Sequence, residues 1–333
     1  MSNGIKRRIS VGISQENGYG IQTGLSSTYF MPNVEASIED IADFEENTAM
    51  MGSDYEVNAI KRKYTYVNFS MKMKVDENVL PVFFRQKFTD TVTTITGETA
   101  VYQHVLAYNE AQTVGTGQSV CLYWNDPDRG DLKINGARFN ALNLIMDKGF
   151  LYLQADGMGM ASVATGLTVT VNGVREFIGR NGKFEYATAT GTYGERKILS
   201  ASINHTFNLS DVEDNIAIGD DTFSNLITRQ TRFEMETSML QDSYTGRDIF
   251  LAGTKMKCQV TVEDTDRYVS GSVTSQSPKL IFEYPAGYIR NYKQTGGAND
   301  LVKQDLTLLA IDDPTIATSP AKITVINSVA SYS

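Results

Sequence analysis

The feature that most constrains this chain is an alternation of period two that occurs twice. Val67, Phe69, Met71 and Met73 alternate with Asn68, Ser70 and Lys72; far downstream, Phe233, Met235, Thr237 and Met239 alternate with Glu234, Glu236 and Ser238. Successive side chains of a strand point to opposite faces, so each run describes a strand with one dry face and one wet face. Superposing Val67 on Phe233 is a shift of 233 − 67 = 166. At that shift both runs meet an acidic residue, Asp76 or Asp242, and then a short amphipathic stretch that matches Phe83-Phe84 with Ile249-Phe250. An Asp at this point is a reasonable N-cap, so a short helix covering one face of a sheet is expected in each half.

The correspondence continues with drift. Val120, Leu122 and Trp124 match Leu280, Phe282 and Tyr284 at a shift of 160, and Leu151, Leu153 and Ala155 match Leu306, Leu308 and Ala310 at 155. Order carries the argument more than identity: strand, capped helix, strand and final strand recur, as in a duplicated domain. The expected fold is mainly β, with two tandem β-sandwich or barrel modules, each with a short flanking α-helix. The first module with an N-terminal arm spans 1–161, and the second spans 198–314. Between them, 162–197 reads as a hairpin-rich connector, with turn signals at Asn172-Gly173, Asn181-Gly182 and Gly191 to Gly194 and strands expected at Leu167 to Val174 and Lys183 to Ala187. Residues 315–333 read as a small, polar C-terminal arm that orders on a neighbour, with Ile323 to Ile326 as a candidate last strand.

Chemistry is scarce. The only histidines are His104 and His205, and both read as packed strand residues; alternation puts Ile203, His205 and Phe207 on one face. Cys121 and Cys258 sit singly in apolar runs, so they read as reduced core residues. Asp126, Asp128 and Asp131 could gather round calcium, but their spacing departs from an EF-hand loop and the closing glutamate is missing, so a solvated turn is the expectation. Gly18-Tyr19-Gly20 and Gly157-Met158-Gly159 lack the tail of a phosphate loop and read as turns or bulges. No catalytic, cofactor or metal residue is therefore assigned. Thirty Lys and Arg against 39 Asp and Glu give a net charge of −9, which argues against tight nucleic-acid binding. No export signal and no apolar run long enough to span a membrane is expected.

Softer motifs remain. Ser14-Gln15-Glu16-Asn17-Gly18-Tyr19-Gly20, then Tyr29-Phe30-Met31-Pro32, open the chain; Glu45-Glu46-Asn47 and Met51-Gly52-Ser53 precede a long Lys61 to Lys74 strand leading into Val79-Leu80-Pro81-Val82-Phe83-Phe84. Late in the chain come Lys279 to Tyr284 and Asp305-Leu306-Thr307-Leu308-Leu309-Ala310. Together these resemble the major tail tube proteins of long, flexible-tailed bacteriophages (siphophages), in a duplicated form. The resemblance implies tail-tube-like modules, trimeric pseudo-hexameric rings stacked into a hollow tube, and passage of double-stranded DNA without specific binding. It also implies a tape measure protein within the lumen, tail terminator and baseplate proteins at the ends, no membrane insertion, and a virion tail assembled in the host cytoplasm. Glu234 and Glu236, opposite the apolar face of their strand, are the lumen-facing candidates; an outer solvated face fits them as well, and the matching first-half face carries Lys72 and Lys74. Alternatives are another ring-forming tail component (terminator, baseplate or contractile inner tube) or a carbohydrate-binding or adhesion β-sandwich. The last needs an exposed aromatic platform, and Trp124, the one tryptophan, lies in an apolar strand.

Overall fold

The computed structural model describes residues 10–16, 19–20, 29–32, 34–47, 59–110, 119–126, 130–160, 163–166, 175–216, 220, 226–241, 243–296 and 301–332. The chain is mainly β. In the first half lie β1 (Ser10–Gln15), β2 (Tyr29–Pro32), β3 (Glu35–Asn47), β4 (Ala59–Lys74), β5 (Phe88–Thr94), β6 (Tyr102–Tyr108), β7 (Val120–Asn125), β8 (Asp131–Met146), β9 (Tyr152–Gly159) and β10 (Val163–Thr165). The second half supplies β11 (Gly182–Thr188), β12 (Gly194–Arg196), β13 (Ile198–Thr206), β14 (Arg232–Leu240), β15 (Met256–Glu263), β16 (Lys279–Thr295), β17 (Lys303–Ala310) and β18 (Lys322–Asn327). Two short helices, α1 (Leu80–Phe84) and α2 (Thr245–Ala252), follow β4 and β14.

Eight strands form a continuous antiparallel sheet in the order β3-β4-β9-β8-β13-β14-β17-β16. It is not a closed barrel. Two of its strands, β8 and β16, run on past it into a second layer. There β8 lies between β7 and β10, with β1 and β2 beyond β7. Likewise β16 lies between β15 and β18, with β11 and β12 beyond β15 and the hairpin β5–β6 beyond β18. Strands that pass between layers need a corner, and bulges provide it.

The bulges repeat. Val120↔Ala137 gives way to Leu122↔Ile134 on β8, and Met256↔Gly287 gives way to Cys258↔Tyr284 on β16, with one extra residue on the long strand each time. A second bulge follows, after Phe139↔Gly157 and after Ile289↔Leu308. Both pairs lie at one spacing, 287 − 137 = 150 and 289 − 139 = 150. The residues opposite them, Gly157 and Leu308, face Phe69 and Met235 on the next strand, and 235 − 69 = 166 is the spacing of the first pair of runs read from the sequence. Two other matches are corrected. The strand that stands to β16 as β7 stands to β8 is β15, so Val120 to Trp124 does not correspond to Leu280 to Tyr284. Strands β9 and β17 do correspond, but at 308 − 157 = 151 and not at 155. Alternating strands look alike after a slip of two or four residues, which is why pattern alone misplaced them.

Asp76 is not the helix cap expected of it. Val79 holds the N-cap position of α1 without a side-chain bond, while Asp76 Oδ1 accepts the Asn78 N–H at 2.8 Å and Oδ2 the Arg175 N–H at 3.0 Å. Asp242 lies outside the described residues. Helix α2 ends where Gly253, at φ +57°, turns its N–H back to the carbonyls of Ile249 and Phe250, a left-handed cap that glycine adopts without strain.

Within the stretch read as a connector, β11 pairs with β15 along seven residues; Leu167 to Val174 lies outside the described residues. The segment read as an arm awaiting a neighbour is seated in its own chain. Strand β18 is flanked by β6 and β16, and its alternate residues Ile323 and Val325 are fully buried, so the period of two in this polar tail was a strand signal. One large core spans both halves. At its centre the Phe139 ring meets Phe83 at 5.1 Å and Phe69 edge-on at 5.8 Å.

Candidate assembly surface

The eight-stranded sheet turns one face to the core and leaves the other polar. Residues opposite one another in an antiparallel pair share a face, so the register lays them out in rows. One row reads Glu35, Lys72, Gln154, Asn143, Asn204 and Glu234 across six strands. The next runs through Tyr152, Ile145, Ser202, Glu236, Thr307 and Asn291. Both candidates, Glu234 and Glu236, are on this face, backed on the other side by buried Phe233, Met235 and Met239. Their settings differ. Glu234 is half-buried and held by Arg232 at 3.0 Å and Arg290 at 3.5 Å, whereas Glu236 is exposed. Lys72 and Lys74 are on the same face, Lys74 paired with Glu176 at 3.0 Å. The face is thus of mixed charge and rich in amides and hydroxyls.

The sheet ends in two edges that pair with no other strand among the described residues. One is β3, hydrogen-bonded to β4 alone. It carries Glu35, Glu39, Asp40, Asp43, Glu45 and Glu46 and no Lys or Arg. The other is β16 from Asn291 to Thr295, bonded there to β17 alone. Around this edge the surface mixes charge with apolar groups: Lys293 lies on it opposite Asp305 of β17, Arg290 precedes it in the bulge, and on the adjoining α2 segment Leu251 and Tyr244 are 64% and 58% exposed. Helix α2 packs on β16 by stacking Phe250 on Tyr292 at 6.2 Å. All five residues of α1, by contrast, are buried, and its Phe84 sits edge-on to His205 of β13 at 5.4 Å.

Several other titratable groups are buried within the fold. His205 donates or accepts at Nε2 with the Tyr284 hydroxyl, 3.0 Å away, inside an aromatic cage, and burial pushes it down to about 3. His104 holds Asp90 Oδ2 at 2.9 Å through Nδ1 and the Val329 carbonyl at 2.7 Å through Nε2, tying β5 and β6 to the chain's last residues. Glu16 accepts N–H bonds from Gly20 and Gly136, both at 2.9 Å, and the Ser119 hydroxyl, and its burial raises it above the usual carboxylate range. Glu77, fully buried, lies between Arg175 at 3.2 Å and Arg267 at 2.8 Å. Cys121 and Cys258 are free and buried, each thiol pushed up to about 12 by burial. Asp131 accepts from Asn125 at 2.7 Å, and Gly130, at φ +104°, donates to the Asp126 carbonyl; Asp128 lies outside the described residues. Among the described residues no cluster of three or more His, Cys, Asp or Glu is placed to hold a metal ion. Trp124 is half-buried against the core, beside Val11 across the β1–β7 pair.

Sequence reading missed the edges themselves and the bulges that make the corners. Signals for the latter were present: Gly136 adopts φ +61° in the first bulge of β8, and Pro285 occupies the corresponding bulge of β16 at 285 − 135 = 150 from Asn135. Proline inside a strand-like run is a bulge or edge signal.

No protein-family model matches the sequence, and no curated protein matches it either. Among the described residues, no helix is long and apolar enough to cross a membrane. Among solved structures the chain is similar to one described as the SPP1 tail tube, at 12% identity and a TM-score of 0.31, over 47% of this chain and 81% of that one.

Proposed function

We propose that this protein is a structural subunit, not an enzyme: a bacteriophage major tail tube protein that polymerises by its sheet edges into a hollow tube conducting DNA. The observation that carries the reading is the open eight-stranded sheet, dry on one face, polar on the other, with an edge at each end that pairs with no further strand among the described residues. Long open edges invite uncontrolled pairing unless a defined partner closes them. The strands fall into two sets of four with repeated bulges, which supports two tandem modules from a duplication. Three chains would then line a bore with six such modules.

Geometry favours that number. Twenty-four strands spaced about 4.8 Å apart and tilted about 40° enclose a backbone circle roughly 150 Å round and about 48 Å across, wide enough for duplex DNA after side chains intrude. With the polar face inward, Glu234 and Glu236 line the bore. A wall of amides, hydroxyls and mixed charge offers a polyanion few uncompensated cations, so DNA slides and is not held. Rings stack head to tail into a filament, with a tape measure protein inside the tube during assembly and terminator and baseplate proteins at its ends. On this reading the protein belongs to the virion tail and is built in the host cytoplasm.

Negative-stain microscopy of the purified protein over a concentration series tests the reading. Uniform hollow tubes, or rings of three chains, are expected. A chain that stays monomeric at every concentration sinks it, and discrete rings that never stack favour a terminator instead.

A further inference from the structure

We propose that Asn291 to Thr295 of β16 pair antiparallel with Ser37 to Ile41 of β3 in a second copy of this chain, in a register that sets Lys293 opposite Glu39. The proposal rests on the tube reading and adds the strands, the direction and the register of the joint.

The template lies inside the chain. Strands β8 and β16 carry the same two bulges at a spacing of 150. Strands β3 and β13 stand alike beside β4 and β14: Ile38 faces Phe69 as Ile203 faces Met235, a spacing of 203 − 38 = 165. On β8 the edge beyond the bulges is filled by β13, from Ala141↔Thr206 to Met146↔Ala201. On β16 the equivalent edge has no strand among the described residues, and β3 has no strand on its outer side. Adding 150 to one partner and subtracting 165 from the other carries Ala141↔Thr206 to Asn291↔Ile41, and Asn143↔Asn204 to Lys293↔Glu39. The same operation carries Leu142↔His205 to Tyr292↔Asp40.

Three features outside this symmetry agree with it. Charge is complementary at the joint itself, since the acidic β3 would meet an edge whose one charged residue is Lys293. Lys293 and Glu39 are both exposed in the single chain, on the polar face, where opposite charges across a strand pair attract. The Tyr292 hydroxyl is buried with no hydrogen-bond partner, and the register sets Asp40 opposite Tyr292. Finally, Leu251 and Tyr244 leave apolar surface exposed on the α2 segment that packs against this edge, where a second copy would shield it as His205 of β13 meets Phe84 of α1. Because the two edges differ, the contact is head to tail and repeats until rotation closes a ring.

The test is a Glu39→Cys/Lys293→Cys double variant in the full chain. Opposed strand residues hold their Cβ atoms within about 5.5 Å, close to disulfide geometry. Mild oxidation of the assembled protein should give a ladder of covalent multimers on a non-reducing gel. Either single variant should give none, and the register-shifted Glu35→Cys/Lys293→Cys variant about ten-fold less. Cys121 and Cys258 are buried and do not compete. In parallel, Glu39→Lys or Lys293→Glu should each raise the concentration needed for assembly about five-fold, and the two together should return it to within about two-fold. Tubes that form without a ladder, or with a stronger ladder from the shifted pair, overturn this joint and leave the tube reading standing. A wild-type chain that never assembles overturns both.

Discussion

Replacing His205 with phenylalanine should flatten the acid side of the stability curve. The residue is 1% exposed, and the rings of Phe84, Phe88, Phe233 and Phe282 lie 5.4, 5.7, 4.8 and 6.3 Å from it. Nε2 meets the Tyr284 hydroxyl, but Nδ1 has no partner, so a second proton would sit in the cage unpaired. Burial accordingly holds the imidazole near 3, against 6.5 for an ordinary histidine. Between those values the unfolded chain binds a proton that the folded chain refuses. Stability from this group is therefore complete above about pH 6.5 and declines as the pH falls toward 3. At about 1.4 kcal/mol per pH unit, the loss between pH 7 and pH 5 is about 2 kcal/mol from this one side chain. Phenylalanine fits the aromatic surroundings and has no proton to gain; it forfeits the Tyr284 hydrogen bond, worth about 1 kcal/mol at every pH. Urea unfolding of monomeric protein at several pH values measures the difference. Wild type and His205→Phe should run parallel above pH 7, converge below it and cross before pH 5, where the wild-type loss exceeds the forfeited hydrogen bond, because the carboxylates titrate equally in both. If the gap between the two curves stays constant down to pH 5, the buried neutral imidazole is wrong.

Three further outcomes are expected. Phe139→Ala removes the ring shared by Phe69 and Phe83 at the centre of the core and should cost about 3–5 kcal/mol in equilibrium unfolding. Gly157→Ala should abolish soluble expression or destabilise by more than about 2 kcal/mol, since its Cβ would lie 2.2 Å from the Arg138 carbonyl oxygen, a backbone atom beside the bulge that cannot move aside. Glu98 accepts bonds from Ser272, Val273 and Thr274, which hold its carboxyl down at about 2 and pin the β5–β6 turn to the loop before β16. Glu98→Gln should therefore speed amide exchange at Val273 and Thr274 at neutral pH, and the wild-type loop should loosen in the same way only as the pH falls from about 4.5 toward 2.

Much of the fold was legible because β patterning is local. Val67 to Met73 and Phe233 to Met239 announce their faces outright, and Phe83-Phe84 announces a helix that must be covered. Pairing partners are not local, and there the sequence misled. Trp124 resembled Tyr284 in pattern, yet β7 and β16 hold different places, because a period of two cannot tell one half-buried strand from another. Residues 315–333 looked like an arm because Ser, Thr and Ala are plentiful; the strand at Ile323 to Ile326 was legible by its alternation, but not that β6 and β16 of the same chain hold it. Glu234 and Glu236 were found by alternation, but not the two arginines that restrain Glu234, since Arg290 comes from the far end of the sheet.

Strand β18 also dictates when the molecule can come together. It joins Leu106 to Ile323 and His104 to Val325, and behind it Tyr332 sets its ring 4.8 Å from His104. A ribosome that has delivered everything up to residue 310 has made both free borders of the sheet but left the β5–β6 hairpin without its outer neighbour. Docking of that hairpin must wait for Lys322 to Asn327, and contacts spanning more than two hundred positions close slowly. Copies growing side by side on one messenger would thus carry both borders before β18 has seated the hairpin behind them.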